Sequence, residues 1–308
     1  MSSGEAQLVR WLSSDSGIGG ESGAVLGIGD DMAIVRCLSG DLLLSSDMVL
    51  DGVHFRLDRE PLELIGRKAI ACGLSDCAAM AVRPLAATVS VALPADWTLE
   101  GSKRLYAGMK NIGEEFGCAI VGGDTTAWHQ GLAIDVAIAA VPYEGITPVR
   151  RSGAKSGDRL FVTGRLGGSG LGRHLTFTPR IHEARSIAEA WADRLHAMID
   201  LSDGLSLDLH RLCEASGVGA TLDLGLLLGA IHPDAEQAAR NSGRTPLQHA
   251  LSDGEDFELL MAASPDAGDL RSGVELWPMG TVTESGMRIR QADGSVRPLE
   301  RAGFEHLA

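Results

Sequence analysis

Aspartates in this chain recur where apolar runs end, most of them beside Gly, Ser or Thr. Asp30 and Asp31 stand in GIGDD, Asp47 in SSDMVLDGVHF and Asp76 in GLSDCAAM; Asp124 stands in VGGDTT, Asp200 and Asp203 in IDLSDG. Carboxylates with hydroxyl and bare-backbone neighbours offer hard oxygen donors. That set suits Mg²⁺, which takes oxygen ligands and keeps waters and phosphate oxygens around it. Taken singly, an Asp beside Gly reads more readily as a turn residue or a helix cap. Seven such positions together point to metal-bound phosphates.

Asp76 is the most informative. On a helix, Ile65, Ala69, Cys72 and Asp76 fall on one stripe. A lone carboxylate on that apolar face costs several kcal/mol unless it is paired or holds a metal. A buried salt bridge to Arg67 or Lys68, or a local cap through Ser75, is the competing reading. Asp200, Ser202 and Asp203 fall at a strand-to-helix junction. Carboxylates there repel phosphate but can hold a metal that bridges it, and Ser202 serves equally well as ligand or N-cap. The stretch TGRLGGSGLGRHL (163–175) lacks the Gly-Lys-Ser/Thr of a phosphate loop and the spacing of a dinucleotide loop. A tight turn packed on a sheet explains it as well. Spacing alone makes His54, beside Phe55, and Tyr106 structural residues.

The bulk properties narrow the function class. A length of 308 residues suits two domains. The net charge of −14 argues against a surface built for nucleic acid or anionic membranes, which need clustered Lys and Arg; a phosphorylated substrate reached through metal ions remains open. Cys37, Cys72, Cys77, Cys118 and Cys213 are odd in number and form no CxxC pair, so a reducing cytoplasm is expected. The first twelve residues lack a signal-peptide core, and no apolar run reaches the ~18–20 residues of a membrane span.

These residues need strands and helices to position them. The pattern predicts a short helix at 6–13, a loop at 13–23, and strands at 24–28, 32–38 and 41–46. A helix at 61–82, a strand at 87–94, a helix at 98–117, and strands at 118–124 and 132–142 follow. The Gly-, Pro- and Ser-rich stretch 143–158 marks a domain boundary, dividing the chain into 1–145 and 146–308. Beyond it come strands at 159–164 and 197–200, a helix at 204–217, a strand at 220–224, a helical region, a strand at 257–263 and two late strands. The alternation argues for α/β layers in both halves.

In order and spacing, GIGDD, SSD…GVHF, GLSDCAAM, GGDTT, RSGAKSGD, IDLSDGL and SDGEDFEL resemble the thiamine-monophosphate kinases, from about residue 6 to GFEHL near the C-terminus. The resemblance implies the two-domain α/β fold shared with aminoimidazole ribonucleotide synthetase. Its N-terminal domain pairs in a homodimer, and nucleotide lies in the cleft between domains. It implies a phosphotransferase that uses ATP and several Mg²⁺ ions to turn thiamine monophosphate into thiamine diphosphate. Asp30, Ser45, Ser46, Asp47, Asp76, Asp124, Asp200 and Asp203 match the family's metal positions. Tyr106, Gly123, Asp124, Arg151 and Ser202 match its ATP contacts, and His54 and Glu255 its substrate contacts. Asp47, Asp124 and Arg151 are the most critical, with no acid or base needed. Ser46 replaces a common Thr and Asp253 a common Gly. Arg301 stands where the family carries an aromatic substrate contact, so Phe304 or Trp277 supplies the stacking surface or the ring is held otherwise. Relatives making selenophosphate or maturing hydrogenases are disfavoured: the first cysteine, Cys37, lies in an expected strand, and the chain ends without a reactive Cys.

Overall fold

The computed structural model describes residues 24–26, 30–37, 40–267 and 272–305. The helix expected at 6–13 and the loop at 13–23 lie outside the described residues. The first half runs β1 (Ala24–Leu26), β2 (Ala33–Cys37), β3 (Gly40–Leu50), α1 (Leu62–Ala79), β4 (Val82–Pro94), α2 (Leu99–Glu115), β5 (Ala119–Trp128) and β6 (Ala133–Pro142). The strands form one sheet in the order β1-β2-β3-β6-β4-β5. Only β4 and β5 pair in parallel, and α2 makes the crossover that a parallel pair requires.

Side chains alternate across β3. Leu43 and Val49 are buried against α1, while Leu44 and Met48 are exposed on the other face. That open face carries Val121 of β5 as well. α1 is buried nearly all round, which its Ala, Gly, Cys and Ser content permits. Its crossing with α2 is backbone against backbone: a Cβ on Gly66 would lie 2.1 Å from the Leu105 carbonyl oxygen, and one on Gly108 1.9 Å from that of Glu63. α2 starts at Thr98, whose Oγ1 accepts from Gly101 N at 3.0 Å.

α1 ends at Ala79, short of the expected 82, and β4 begins at Val82 rather than 87. Periodicity alone cannot divide a helix from a strand inside the apolar run CAAMAVRPLAATVSVAL. The sharp turn at Ala81 (φ 51°) and the extended bias on the residue before Pro84 make the division.

The second half runs β7 (Arg159–Val162), α3 (Arg173–Thr176), α4 (Ile181–Trp191), β8 (Leu195–Asp200), α5 (Leu205–Ser216), β9 (Gly219–Asp223), α6 (Leu224–Gly229), α7 (Pro233–Ser242), α8 (Pro246–Ser252), β10 (Leu259–Ala263), β11 (Trp277–Thr283), β12 (Met287–Arg290) and β13 (Val296–Pro298). Three late strands replace the expected two. The sheet order is β13-β12-β9-β11-β7-β10-β8. One apolar core lies within this half, between the sheet and α5. A larger one joins the first sheet and α1 to α4, β8 and β10. α1 is thereby packed between the two halves, and its polar side chains end where they meet.

Candidate active site

Three segments bring three carboxylates together. Asp31 precedes β2, Asp76 lies in the last turn of α1, and Asp200 ends β8. One oxygen from each lies within 4.8 Å of the others. Asp47, on the α1 side of β3, joins them: a Cβ on Gly73 would sit 3.6 Å from Asp47 Oδ2, so that glycine leaves the approach open. Asp47 and Asp76 lie near enough for each to shift the other's ionisation.

Burial and mutual repulsion govern this cluster. Burial pushes Asp47 up to about 6, against the hydrogen bond from Asp76 and with repulsion from Asp31. Burial, then Asp31, raises Asp30 to about 6. Asp76 and Asp200 are also raised well above the ordinary carboxylate range, by burial first and then by Asp47 and Asp31 respectively. Ser75 Oγ donates to Asp200 Oδ2 at 2.6 Å. Arg151 Nη2 donates to Asp31 Oδ1 at 2.8 Å, and its backbone N–H to Asp30 Oδ2 at 3.2 Å. Burial opposes the Arg151 charge, and Asp31 more than restores it.

The donor set fits Mg²⁺. Oδ2 of Asp31, Oδ2 of Asp47 and Oγ of Ser45 are buried with no hydrogen-bond partner among the described residues. Such oxygens are costly unless something satisfies them, and a hard cation does so. The competing readings of Asp76 do not hold. Lys68 pairs with Glu255, Arg67 donates to the Leu175 carbonyl, and Ser75 serves Asp200. Asp31 is the residue that the motif comparison left out of the metal set. The preference of Asp30 for the Arg151 backbone, which turns Asp31 inward, is a tertiary effect with no local sequence signal.

A cavity of about 480 Å³ opens beside the cluster, with Asp47, Cys72, His54, Ser202, Glu255 and Phe304 among its walls. His54 Nδ1 accepts from Leu50 N at 3.0 Å. Glu255 has a left-handed backbone (φ 52°), and its N–H donates to the Ser202 carbonyl at 2.6 Å. Ser202 makes no side-chain cap. Asp208 does that work instead, accepting from the N–H groups of Asp203 and Gly204 at 3.0 Å each; burial and then Asp203 push Asp208 up to about 7. Asp203 also lines the cavity and pairs with Arg211.

Of the candidate aromatic surfaces, Phe304 stands at the cavity, with its N–H on the Asp203 carbonyl at 3.0 Å. Trp277 lies 4.8 Å beneath the Arg165 guanidinium on a different cavity. Arg301 pairs with Glu214 at 2.6 Å. The glycine-rich stretch turns its donors on the chain itself: Gly167 N–H binds Asp256 at 3.0 Å and Gly168 N–H binds Asp253 at 2.9 Å. The tight-turn reading describes it.

Within one chain, Asp124, Gly123 and Tyr106 stay outside this cavity. Across the sheet, Met48, Asp135, Ser90 and Asp124 lie in one row on the open face, opposite to Asp47. Ser46 shares that face and donates to Asp135 Oδ1 at 2.9 Å. Gly123 has a packing reason of its own, since a Cβ there would meet the Val89 carbonyl at 1.8 Å. Tyr106 is half exposed on α2.

Comparison with known proteins agrees with this geometry. Residues 29–142 match the N-terminal domain of AIR synthase related proteins, and residues 145–291 their C-terminal domain. A thiamine-monophosphate kinase of Rhodopirellula baltica is 41% identical over 91% of both chains. One from Mycobacterium tuberculosis is 37% identical over 77% of this chain and 74% of its own. A solved structure, AaThiL complexed with AMPPCP and TMP, superposes with a TM-score of 0.83 at 28% identity, covering 99% of this chain and 97% of that one.

Proposed function

This chain belongs to the AIR synthase related family and, within it, to the thiamine-monophosphate kinases, and we propose that its cleft moves the γ-phosphoryl group of ATP directly onto thiamine monophosphate with Mg²⁺. The activity itself, ATP-dependent phosphorylation of thiamine monophosphate, follows from the relatives and from the complex of a related kinase with an ATP analogue and TMP. The observation that supports the metal-dependent step is the packing of Asp31, Asp76 and Asp200, with the unsatisfied oxygens of Asp31, Asp47 and Ser45, beside the cavity.

In the step, a phosphate oxygen of thiamine monophosphate forms a bond to the γ-phosphorus as the bond to ADP breaks. The nucleophile is already an anion, so no side chain needs to take a proton, and the residues act by position and charge. Asp31, Asp47, Asp76 and Asp200 would hold Mg²⁺, with Asp30, Ser45 and Asp203 at the margins and Ser46 reaching from the open sheet face, and the ion would supply the charge neutralisation that lets two phosphates meet. Arg151 adds positive charge at the cluster's edge. Glu255, His54 and Phe304 hold the substrate's ring end, and Ser202 lies between the two groups.

The division at 145/146 makes the first half the metal and pairing domain and the second the other wall of the cleft. A homodimer through the open face of the first sheet gives Asp124, Gly123 and Tyr106 their part in ATP binding, by bringing the β5 edge to a cleft. The exposed apolar residues Leu44, Met48 and Val121 on that face support this reading. No helix among the described residues is long and apolar enough to cross a membrane, and we place the protein in the cytoplasm. Incubation with ATP, Mg²⁺ and thiamine monophosphate yields thiamine diphosphate and ADP, with free thiamine as the inactive control. ATP use that ignores thiamine monophosphate would refute the reading.

A further inference from the structure

α1 carries a second polar side chain on the row that ends in Asp76. Lys68, Cys72 and Asp76 are spaced i, i+4, i+8 and share one face. Asp76 meets the other carboxylates and Cys72 walls the cavity, while Lys68 lies a further turn back, fully buried. A buried ammonium persists only with partners. Lys68 Nζ has two: it donates to the His54 carbonyl oxygen at 2.5 Å, and it pairs with Oε1 of Glu255, 187 residues further along the chain.

Those partners belong to different halves of the molecule. His54 lies in the loop after β3, and Glu255 in the loop before β10. Both line the cavity. Glu255 sits in a left-handed conformation, with Gly254 beside it also at positive φ (75°). Its side chain is 28% exposed and the Lys68 side chain only 1%, so the ion pair has a buried end and an end open to the cavity. One compact charge on a flexible stem thus ties two walls of one cavity together.

We propose that Lys68 is a positioning residue for the ring end of thiamine monophosphate. Its ammonium takes Oε1 of Glu255 and leaves Oε2 to accept an N–H from the substrate's aminopyrimidine. The same ammonium fixes the His54 loop opposite, so the two walls keep the spacing the substrate needs. Lys68 itself touches neither substrate nor nucleotide. This proposal rests on the kinase reading above.

The test is steady-state kinetics of the full chain, varying thiamine monophosphate and ATP separately. Lys68→Met keeps the stem and removes the charge. It raises KM for thiamine monophosphate roughly tenfold, the scale of one charge-assisted hydrogen bond, and leaves KM for ATP within about twofold. Lys68→Arg keeps the charge, and with it the fold, but its planar fork cannot repeat the point contact. It raises KM for thiamine monophosphate about threefold or more at an unchanged Tm. A purely structural lysine would move both KM values together or only Tm. Wild-type KM for thiamine monophosphate in Lys68→Arg, or equal shifts for both substrates in either variant, would overturn the proposal. Should Lys68→Met fail to fold, Lys68→Arg decides alone. A wild-type chain that forms no thiamine diphosphate would overturn the kinase reading, and this one with it.

Discussion

Two groups of acidic residues in this molecule share a residue type and differ in what neutralises them. Asp31, Asp47, Asp76 and Asp200 lie together, with Arg151 on Asp31 at the margin, and one oxygen each of Asp31 and Asp47 is buried with no donor among the described residues. The run Asp253–Glu258 is just as acidic, yet each carboxylate has its own cation. Asp253 has Arg244, with the His249 ring also within hydrogen-bond distance, Glu255 has Lys68, Asp256 has Arg173 and Glu258 has Arg180. In the reading proposed here the first group takes its partner from outside the chain, whereas the second has its partners within it. Sequence composition does not separate them. Partners do.

Removing a carboxylate from the first group is the strongest test of that difference. Asp76→Asn would remove a ligand of the proposed Mg²⁺ site and one source of repulsion. We expect kcat to fall by roughly 10³-fold, the scale of losing charge stabilisation at a reacting phosphate, with the Tm of the metal-free protein unchanged or higher. A variant that lost Tm and kept kcat would place Asp76 in the structural group. The converse experiment is Arg180→Met. Glu258 is buried and takes a bidentate contact from Arg180 at 2.6 and 2.7 Å, beside the Thr163 hydroxyl. Stripping its cation costs about 3–5 kcal/mol of stability, readable in urea unfolding, with KM for both substrates nearly unchanged.

The pH dependence sharpens the contrast without mutation. Asp30 and Asp47 are raised to about 6 in the folded chain, by burial first, and burial raises Asp76 and Asp200 well above the ordinary carboxylate range. A carboxylate raised in the folded state contributes stability below its unfolded value, near 4, and loses it as pH rises through the folded value. Metal-free protein therefore loses this contribution between about pH 4 and 6, and Mg²⁺ restores it by replacing the protons. Near-saturating Mg²⁺ should raise Tm by roughly 5 °C at pH 7.5 and by less than half of that at pH 5. Equal shifts at both values would mean that the ion binds elsewhere.

How much of this was legible in the sequence follows the same divide. The strands around GIGDD, SSD and IDLSD were visible because alternation and Gly or Ser punctuation are local signals; β8 ends on Asp200 as expected, but β3 runs through Asp47 to Leu50, beyond the expected end at 46. Asp31 was passed over in favour of Asp30 because the choice is made by the Arg151 backbone, 120 residues away. The start of β4 was missed because an all-apolar run has no period to read. Lys68 was legible only as a possible partner for Asp76; its actual partner, Glu255, lies in the other half of the chain, 187 residues away. Asp124 stands out in sequence, but its row on the open sheet face is set by strand order, which no local pattern reveals.

Asp253 tests where the two groups touch. It belongs to the neutralised run, yet it lines the cavity and stands where the resembling family commonly has glycine. Its carboxylate accepts from Gly168 N–H as well as from Arg244 and His249. Arg244 is 40% exposed, so water already screens that pair. Asp253→Asn keeps an acceptor for Gly168 and gives up the charge and the acceptor that faces Arg244. The expected loss is about 1 kcal/mol or less in unfolding, with KM for thiamine monophosphate within about twofold of wild type. A larger rise in KM, at unchanged stability, would show that Asp253 faces the substrate rather than its own cations. Internal pairing would then no longer separate structural carboxylates from functional ones at this edge of the cleft.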